Sequence, residues 1–522
     1  MKLFYNANLY HRDEHAFLTE EGSFLKFGSF EELSAEYPSA EKCDLQGKYV
    51  YPGFNDSHMH ILNLGQFLSI SSLYEHTSSI ADLQNFLKSE CEKAAPGAWV
   101  KGRGFNQDYF EEKRMLTRKD LDEISIEHPI FLTRACGHIA VLNSRAIEEL
   151  HLEDMEQVEG GYFDLETGVF KENALAAASE RMKKPDIETL KAFFVKAMAK
   201  ANSFGITSVQ SDDFETFSGI GYKEVIRALE ELENEGKMTV RINQQCQLPT
   251  VEKLKDFIAD GYANKVIGEH VKMGPLKLLG DGSLGARTAY LSRPYKDDPS
   301  TCGIPVFTQE QFDELIYTAH EAGMSVAIHS IGDGCLEMIL NAYEKALKKL
   351  PRKDHRHGVV HVQCTTRDQL ERIRDLELVC YVQTIFIDYD SKIVGNLLSD
   401  DLLKSSYNFK SLMDMGVKVS NGSDCPVEMC DVVRGMECGV TRCSIGSDVP
   451  YLEEEAMSIE EAIDSYTING AYMSFEENKK GLLKEGYIAD FAVLDQDLLK
   501  TQKNRIHEVK TLETYLSGKK VF

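Results

Sequence analysis

The sequence predicts an α/β chain built on a (β/α)8 TIM barrel, with a subdomain inserted after the first barrel strand and a small β-sandwich domain made from both termini. Three observations carry that reading. From about residue 200 onward, short β-branched runs alternate with longer helical patterns, the signature of a parallel sheet wrapped by helices. With one upstream run included the count is eight, the number that closes such a sheet into a barrel. A tract far longer than any other connection separates the upstream run from the next, and both ends of the chain return to short alternating segments.

Taken in order, residues 1–50 form the first part of the terminal β domain, and residues 51–61 hold the first barrel strand, read from Tyr49-Val50-Tyr51-Pro52-Gly53-Phe54. Residues 62–195 are the insertion, which carries the single Trp, Trp99, with Gly104-Phe105-Asn106-Gln107-Asp108 and Arg134-Ala135-Cys136-Gly137-His138. An insertion after a barrel strand belongs to the face where barrel chemistry lies, so a lid or substrate wall is expected. Residues 196–474 supply the other strands, at 205–210, 238–243, 274–279, 325–329, 358–361, 378–382 and 417–421. A helix is expected over 458–474, and residues 475–522 then complete the terminal domain through Ile488-Ala489-Asp490-Phe491-Ala492-Val493-Leu494.

Composition narrows the function classes. The 522 residues are 43% hydrophobic and 27% charged, as in soluble globular proteins. With 58 Lys and Arg against 84 Asp and Glu the net charge is −26, which argues against nucleic acid and against an anionic membrane surface as partners. No stretch reaches the length of apolar sequence that spans a bilayer. The start, Met1-Lys2-Leu3-Phe4-Tyr5-Asn6-Ala7-Asn8, lacks the apolar core of a signal peptide, so a cytoplasmic address is expected. The 12 Cys are scattered, as reduced thiols are. Cys425, Cys430, Cys438 and Cys443 cluster, but without the paired two-residue knuckles of a zinc ribbon, so buried thiols are the expectation there.

The chemistry is concentrated at strand ends. Pro52-Gly53-Phe54-Asn55-Asp56-Ser57-His58-Met59-His60 closes a strand with His-x-His, and residues two apart on an extended chain point the same way, so both imidazoles can reach one ion. Alone, that pattern is commonplace. Among 15 His, however, His329 ends the fifth strand and His361 the sixth, and Gly422-Ser423-Asp424 follows the eighth. The C-terminal ends of barrel strands are where active sites form. Imidazoles with a carboxylate suit a divalent ion, zinc first, with Mn, Fe or Ni able to use the same ligands. Such an ion would activate water and polarise a carbonyl, while Asp424 shuttles a proton to the leaving nitrogen.

These residues resemble the amidohydrolase superfamily, and within it the branch of metal-dependent hydrolases that includes N-substituted formamide deformylases. The resemblance runs nearly end to end, through His58-Met59-His60, Gly160-Gly161-Tyr162, Gly205-Ile206-Thr207-Ser208-Val209, the stretch from Lys277 to Ala289, Ala327 to Asp333, Gly422-Ser423-Asp424, Tyr466 to Ala471 and Glu485 to Phe491. It implies one or two ions: His58 and His60 on the more buried one, His329 and His361 on the second, and Asp424 as ligand and proton shuttle. Lys277 matches a fourth-strand Lys that in many members is carboxylated and bridges two ions; as an ammonium it would repel them. His138 and Asp281 match substrate-pocket positions, and a homodimer is common among relatives. The implied activity is hydrolysis of a non-peptide carbon–nitrogen bond, an amide or N-substituted formamide of a small molecule. An ester or lactone hydrolase would keep the same ligands, and a non-catalytic interaction protein would be expected to lose them.

Overall fold

In the computed structural model, which describes residues 1–135, 138–158 and 160–522, eight parallel strands follow one another through a single sheet. They are Phe54–Met59, Ile206–Asp212, Arg241–Gln247, Val271–Leu279, Val326–Ser330, Gly358–His361, Val379–Val382 and Val419–Asn421. The first and eighth strands share no ladder. Instead, Asp424 N donates to His58 O and His60 N donates to Cys425 O, each at 2.8 Å. That close approach needs Gly422, since a Cβ there would lie 2.5 Å from His58 N.

The first barrel strand begins later than its β-branched run suggests. Tyr49-Val50-Tyr51-Pro52 ends a long strand, Glu41–Pro52, that pairs with Phe491–Leu494 in the terminal sheet. Gly53 makes the handover: its N donates to Asp490 O, and a Cβ at this residue would overlap the Thr207 side chain.

The helices form where the 3.6-residue period and capping residues coincide. Tyr222–Asn234 buries Val225, Ile226, Leu229 and Leu232 on one stripe, and capping boxes start helices at Thr308 with Gln311 and at Thr366 with Gln369. The helix expected over 458–474 is two helices, Ile459–Ser465 and Ile468–Met473. The break has a local cause. The Tyr466 carbonyl is taken by Asn55 N at 2.6 Å, and Thr467 Oγ1 donates back to Ile463 O, so the backbone ladder is interrupted at the barrel wall.

The terminal strands form a seven-stranded sheet joining the N-terminal strands to Phe491–Leu494, Thr511–Leu516 and Lys519–Lys520. The sandwich is this one sheet rolled on itself. Phe24 N donates to Tyr487 O and Gly486 N to Phe24 O, which brings the far edge back to the segment before Phe491. Inside the roll Phe4, Phe17, Phe24, Phe491 and Tyr515 stack with centroids 4.4–6.1 Å apart. A buried ion pair, Arg241 Nε to Asp490 Oδ2 at 2.7 Å, ties this sheet to the third barrel strand.

Met1–Leu64, Ile187–Thr216 and Ile220–Phe522 make one unit, and Gly65–Asp186 with Phe217–Gly219 makes another. The second unit holds a six-stranded sheet whose alternating side chains feed two cores. Ile130, Leu132 and Val141 pack with Leu83 and Leu87 of helix Ile80–Lys93, whereas Phe131, Ala140 and Leu142 pack with Ala146, Ile147, Ala174 and Trp99. Cys136 and Gly137 of the Arg134–His138 motif lie outside the described residues. Among the described residues no helix is long and apolar enough to cross a membrane.

Candidate active site

Polar residues at the C-terminal ends of the barrel strands converge on one buried centre. His58, at 1% exposure, ends the first strand, and His60 follows it on the turn into helix Ile61–Leu68. His361 ends the sixth strand, also at 1% exposure, and Asp424 follows the eighth. Asp424 Oδ1 lies 3.0 Å from His60 Nε2 and 3.4 Å from His58 Nε2. The His58 ring is 5.3 Å from that of His60 and 5.5 Å from that of His361. Backbone strain accompanies the cluster, because His361 and Asp424 hold φ at +75° and +58°, a region costly for non-glycine residues.

The proton on each imidazole can be placed from its partner. His58 Nδ1 meets Gln245 Oε1 at 2.7 Å, His60 Nδ1 meets Asp212 O at 2.8 Å, and His361 Nδ1 meets Gln383 Oε1 at 2.6 Å. Those oxygens accept, so Nδ1–H donates in all three, and Nε2 faces the centre, as a lone pair on His58 and His361 and as the nitrogen bonded to Asp424 on His60. His329 is turned the other way: its Nε2–H donates to Gly282 O at 3.1 Å, which leaves Nδ1 as the lone-pair nitrogen, and its ring lies 4.4 Å from His361.

Electrostatics favour metal ligation. Burial, and then the Lys277 charge, drives His58 well below the ordinary histidine range; burial, and then His329, does the same to His361. Their lone pairs are therefore free at neutral pH. Burial opposes ionisation of Asp424, but the His60 hydrogen bond and the surrounding imidazoles outweigh it and hold the carboxylate well below its usual range. Burial also pulls His60 down, yet the hydrogen bond and charge of Asp424 win and raise it to about 9. Ligand atoms of His58, His361 and Asp424 lie within 4.8 Å of one another, and among the described residues this is the one such set of three His, Cys, Asp or Glu. Two neutral imidazoles and an ionised carboxylate at that spacing fit a divalent ion. The four clustered cysteines are buried free thiols.

Lys277 is fully buried on the fourth strand, and its Nζ sits 3.3 Å from Asp212 Oδ2. The other oxygen of Asp212, Oδ1, is buried without a partner, an acceptor left over beside the centre. Asp281, expected at the substrate pocket, lies buried beside His329. It accepts from Tyr290 N, Ile331 N and Gly332 N at 2.8–3.0 Å and sits 3.3 Å from His329 Nε2, so it fixes the turn after the fifth strand and orients His329. His138 belongs to the second unit, is largely exposed, and pairs with Glu172 Oε2 at 3.0 Å.

Sequence reasoning missed Asp56, Asp212, Gln245 and Gln383. Asp56 accepts from Ser423 Oγ, from Ser423 N at 3.0 Å and from His58 N at 3.3 Å, and so buckles the first strand to the loop carrying Asp424; burial raises its pKa to about 7. All four sit at or just beyond barrel strands, three of them at the C-terminal ends, where an uncharged or acidic side chain already signals a role.

Three comparisons relate the chain to known proteins. Residues 41–522 match the profile of the amidohydrolase family. The amidohydrolase YtcJ of Bacillus subtilis (strain 168) is 30% identical, with 97% of this chain and 96% of that protein covered, and the N-substituted formamide deformylase of Arthrobacter pascens is 26% identical over 96% and 94%. A crystal structure of a metal-dependent hydrolase from Pyrococcus furiosus superposes with a TM-score of 0.80 at 30% identity, covering 96% of this chain and all of that one. The profile match over residues 41–522, with 30% identity to YtcJ along nearly the whole length of both chains, makes this chain a member of the amidohydrolase family.

Proposed function

We propose that the protein hydrolyses a carbon–nitrogen bond other than a peptide bond, in an amide or N-substituted formamide of a small molecule. The observation that carries this is Asp424: an ionised, nearly buried carboxylate, hydrogen-bonded to His60 at 3.0 Å, at the centre of the imidazole cluster. A departing amine must be protonated to leave, and a fixed carboxylate that first takes a proton from water and then returns it meets that need. Likeness to the formamide deformylase along 96% of the chain supports the same bond type.

His58, His361 and Asp424 are the residues that would hold a divalent ion, zinc first, with His60 beside them. When bound, such an ion acidifies water and polarises a carbonyl. Gln245 and Gln383 keep the imidazoles in the tautomer that binds it. A one-ion site leaves Lys277 as an ammonium paired with Asp212; a second ion near His329 and His361 requires Lys277 carboxylated, which reverses its sign. His138 and Asp281 are proposed as substrate contacts, Asp281 also orienting His329.

The test is a panel of amides, N-substituted formamides and matched esters with metal-replete protein. Amides or formamides should be turned over, and Asp424→Asn should lower kcat by about 10²–10⁴-fold in a protein that keeps its fold by circular dichroism. Hydrolysis confined to esters, or undiminished turnover by Asp424→Asn, would overturn the proposal.

A further inference from the structure

His60 has two duties that conflict. It precedes helix Ile61–Leu68, and its carbonyl accepts from Leu64 N at 2.8 Å, which makes it the N-cap of that helix. An N-cap side chain ordinarily turns back onto the first free amides of the helix, which is why Ser, Thr, Asp and Asn are favoured there. The His60 imidazole is committed elsewhere: Nε2 meets Asp424 Oδ1 at 3.0 Å, and Nδ1 donates to Asp212 O at 2.8 Å. The amides that open the helix must therefore find acceptors outside their own turn.

The second barrel strand supplies them. Ser211 stands in register with Met59, and beyond that pair the bonds between the first two strands pass from backbone to side chains. Ser211 Oγ accepts from Ile61 N at 2.8 Å and Asp213 Oδ1 accepts from Leu62 N at 2.9 Å, while the carbonyl of the residue between them, Asp212, holds the His60 ring. His60 N itself donates to Cys425 O at 2.8 Å, on the loop that carries Asp424. Three consecutive residues of one strand end thus grip three consecutive residues, His60 to Leu62, of the next. Ser211, Asp212 and Asp213 are 0%, 2% and 1% exposed, so water is no substitute for a lost acceptor. Freeing either amide loosens the turn that aims the His60 ring, whereas an uncapped helix elsewhere in the barrel leaves that turn alone.

We propose that Asp213, with Ser211, is a positioning residue of the candidate site. From the neighbouring strand it caps the helix whose own cap residue is spent on the centre, and so fixes the His60 imidazole against Asp424 and against an ion held there. The proposal rests on reading the cluster as an ion site, and not on which bond the protein cleaves.

The test compares chelator-stripped, full-length wild type with Asp213→Ala, Asp213→Asn and Thr308→Ala. Thr308 caps helix Gln309–Glu321, where its Oγ1 accepts from Gln311 N at 3.3 Å, so its variant loses a cap and nothing at the centre. Zinc affinity is measured by competition with a chromophoric chelator, ligand geometry by the visible absorption of the cobalt-loaded protein, and stability by the urea midpoint. Asp213→Ala should bind zinc about tenfold more weakly and shift the cobalt bands, as loss of a group supporting a ligand does. Asp213→Asn, which keeps an oxygen for Leu62 N, should recover most of that loss. Thr308→Ala should lower the urea midpoint with zinc affinity and cobalt bands unchanged. Should Asp213→Ala not fold, Ser211→Ala, which frees Ile61 N alone, takes its place with the same expectation. Zinc affinity and cobalt bands unchanged in Asp213→Ala, altered equally in Thr308→Ala, or as poor in Asp213→Asn as in Asp213→Ala, would overturn the proposal. A wild type that binds no zinc would overturn it together with the ion-site reading, whereas a zinc-binding protein that cleaves only esters would overturn the proposed function alone.

Discussion

Replacing Gln383 by Leu nearly keeps volume but removes the carboxamide, whose oxygen lies 2.6 Å from His361 Nδ1 and whose nitrogen donates to Tyr381 O at 3.2 Å. His361 is 1% exposed, so no water replaces the lost acceptor, and a buried N–H without a partner costs about 1–3 kcal/mol. The imidazole can escape that cost by moving its proton to Nε2, but Nε2 is the nitrogen that faces Asp424 and His58, and a metal must then displace the proton. The metal-free protein can use this escape and the metal-bound protein cannot, so zinc binding weakens by up to about 1–3 kcal/mol, or roughly 10–100-fold, which is also the usual effect of losing such a supporting partner. Gln383→Glu retains an acceptor and should hold the tautomer at least as well. The assay is competition of chelator-stripped protein for zinc against a chromophoric chelator, with kcat/KM measured at limiting and at excess metal. Leu should lose affinity and recover activity in excess metal, while Glu should lose little. Equal zinc affinity in wild type and Gln383→Leu, or equal losses in both variants, would refute the reasoning.

Other outcomes follow from the same physical arguments. Gly422→Ala sets a methyl 2.5 Å from His58 N where the barrel closes, so it should cost about 1–3 kcal/mol in urea unfolding and lower activity; an unchanged urea midpoint would show that the first and eighth strands can part freely. His320, His355 and His357 form a buried network joined by His320 Nδ1 to His357 Nε2 at 2.9 Å and His357 N to His355 Nδ1 at 3.0 Å. Burial depresses all three pKa values, helped by the Arg352 charge, so the unfolded chain takes up protons that the folded one refuses: their stabilisation is present above about pH 6.5 and is lost as pH falls from there toward the folded values. Urea midpoints at pH 7.5 and 5.5 should therefore converge in His357→Gln relative to wild type, and parallel losses in the two proteins would count against the network.

Much of this protein is legible before any coordinates. Hydrophobic period and β-branched runs locate the eight barrel strands because a parallel sheet, covered on both faces, cannot hide them among polar residues. His58, His60, His329, His361 and Asp424 stand out because they fall at the ends of those strands, and a barrel places such ends around one mouth. The exceptions have physical causes. Residues 49–52 have the same strand propensity whichever sheet they join, and only pairing with Phe491–Leu494 assigns them to the terminal one. The break at Tyr466 depends on a carbonyl captured by Asn55, a residue more than four hundred positions away. Gln245 and Gln383 are unremarkable until folding puts each amide oxygen on an imidazole, and the three backbone amides that bond to Asp281 come to it only through the fold. By itself the sequence determined which side chains could do chemistry, since strand order and the alternation of a strand's two faces are local properties. Tertiary structure alone decided their protonation and orientation, because both depend on partners that burial, and not neighbourhood in the chain, brings within hydrogen-bond distance.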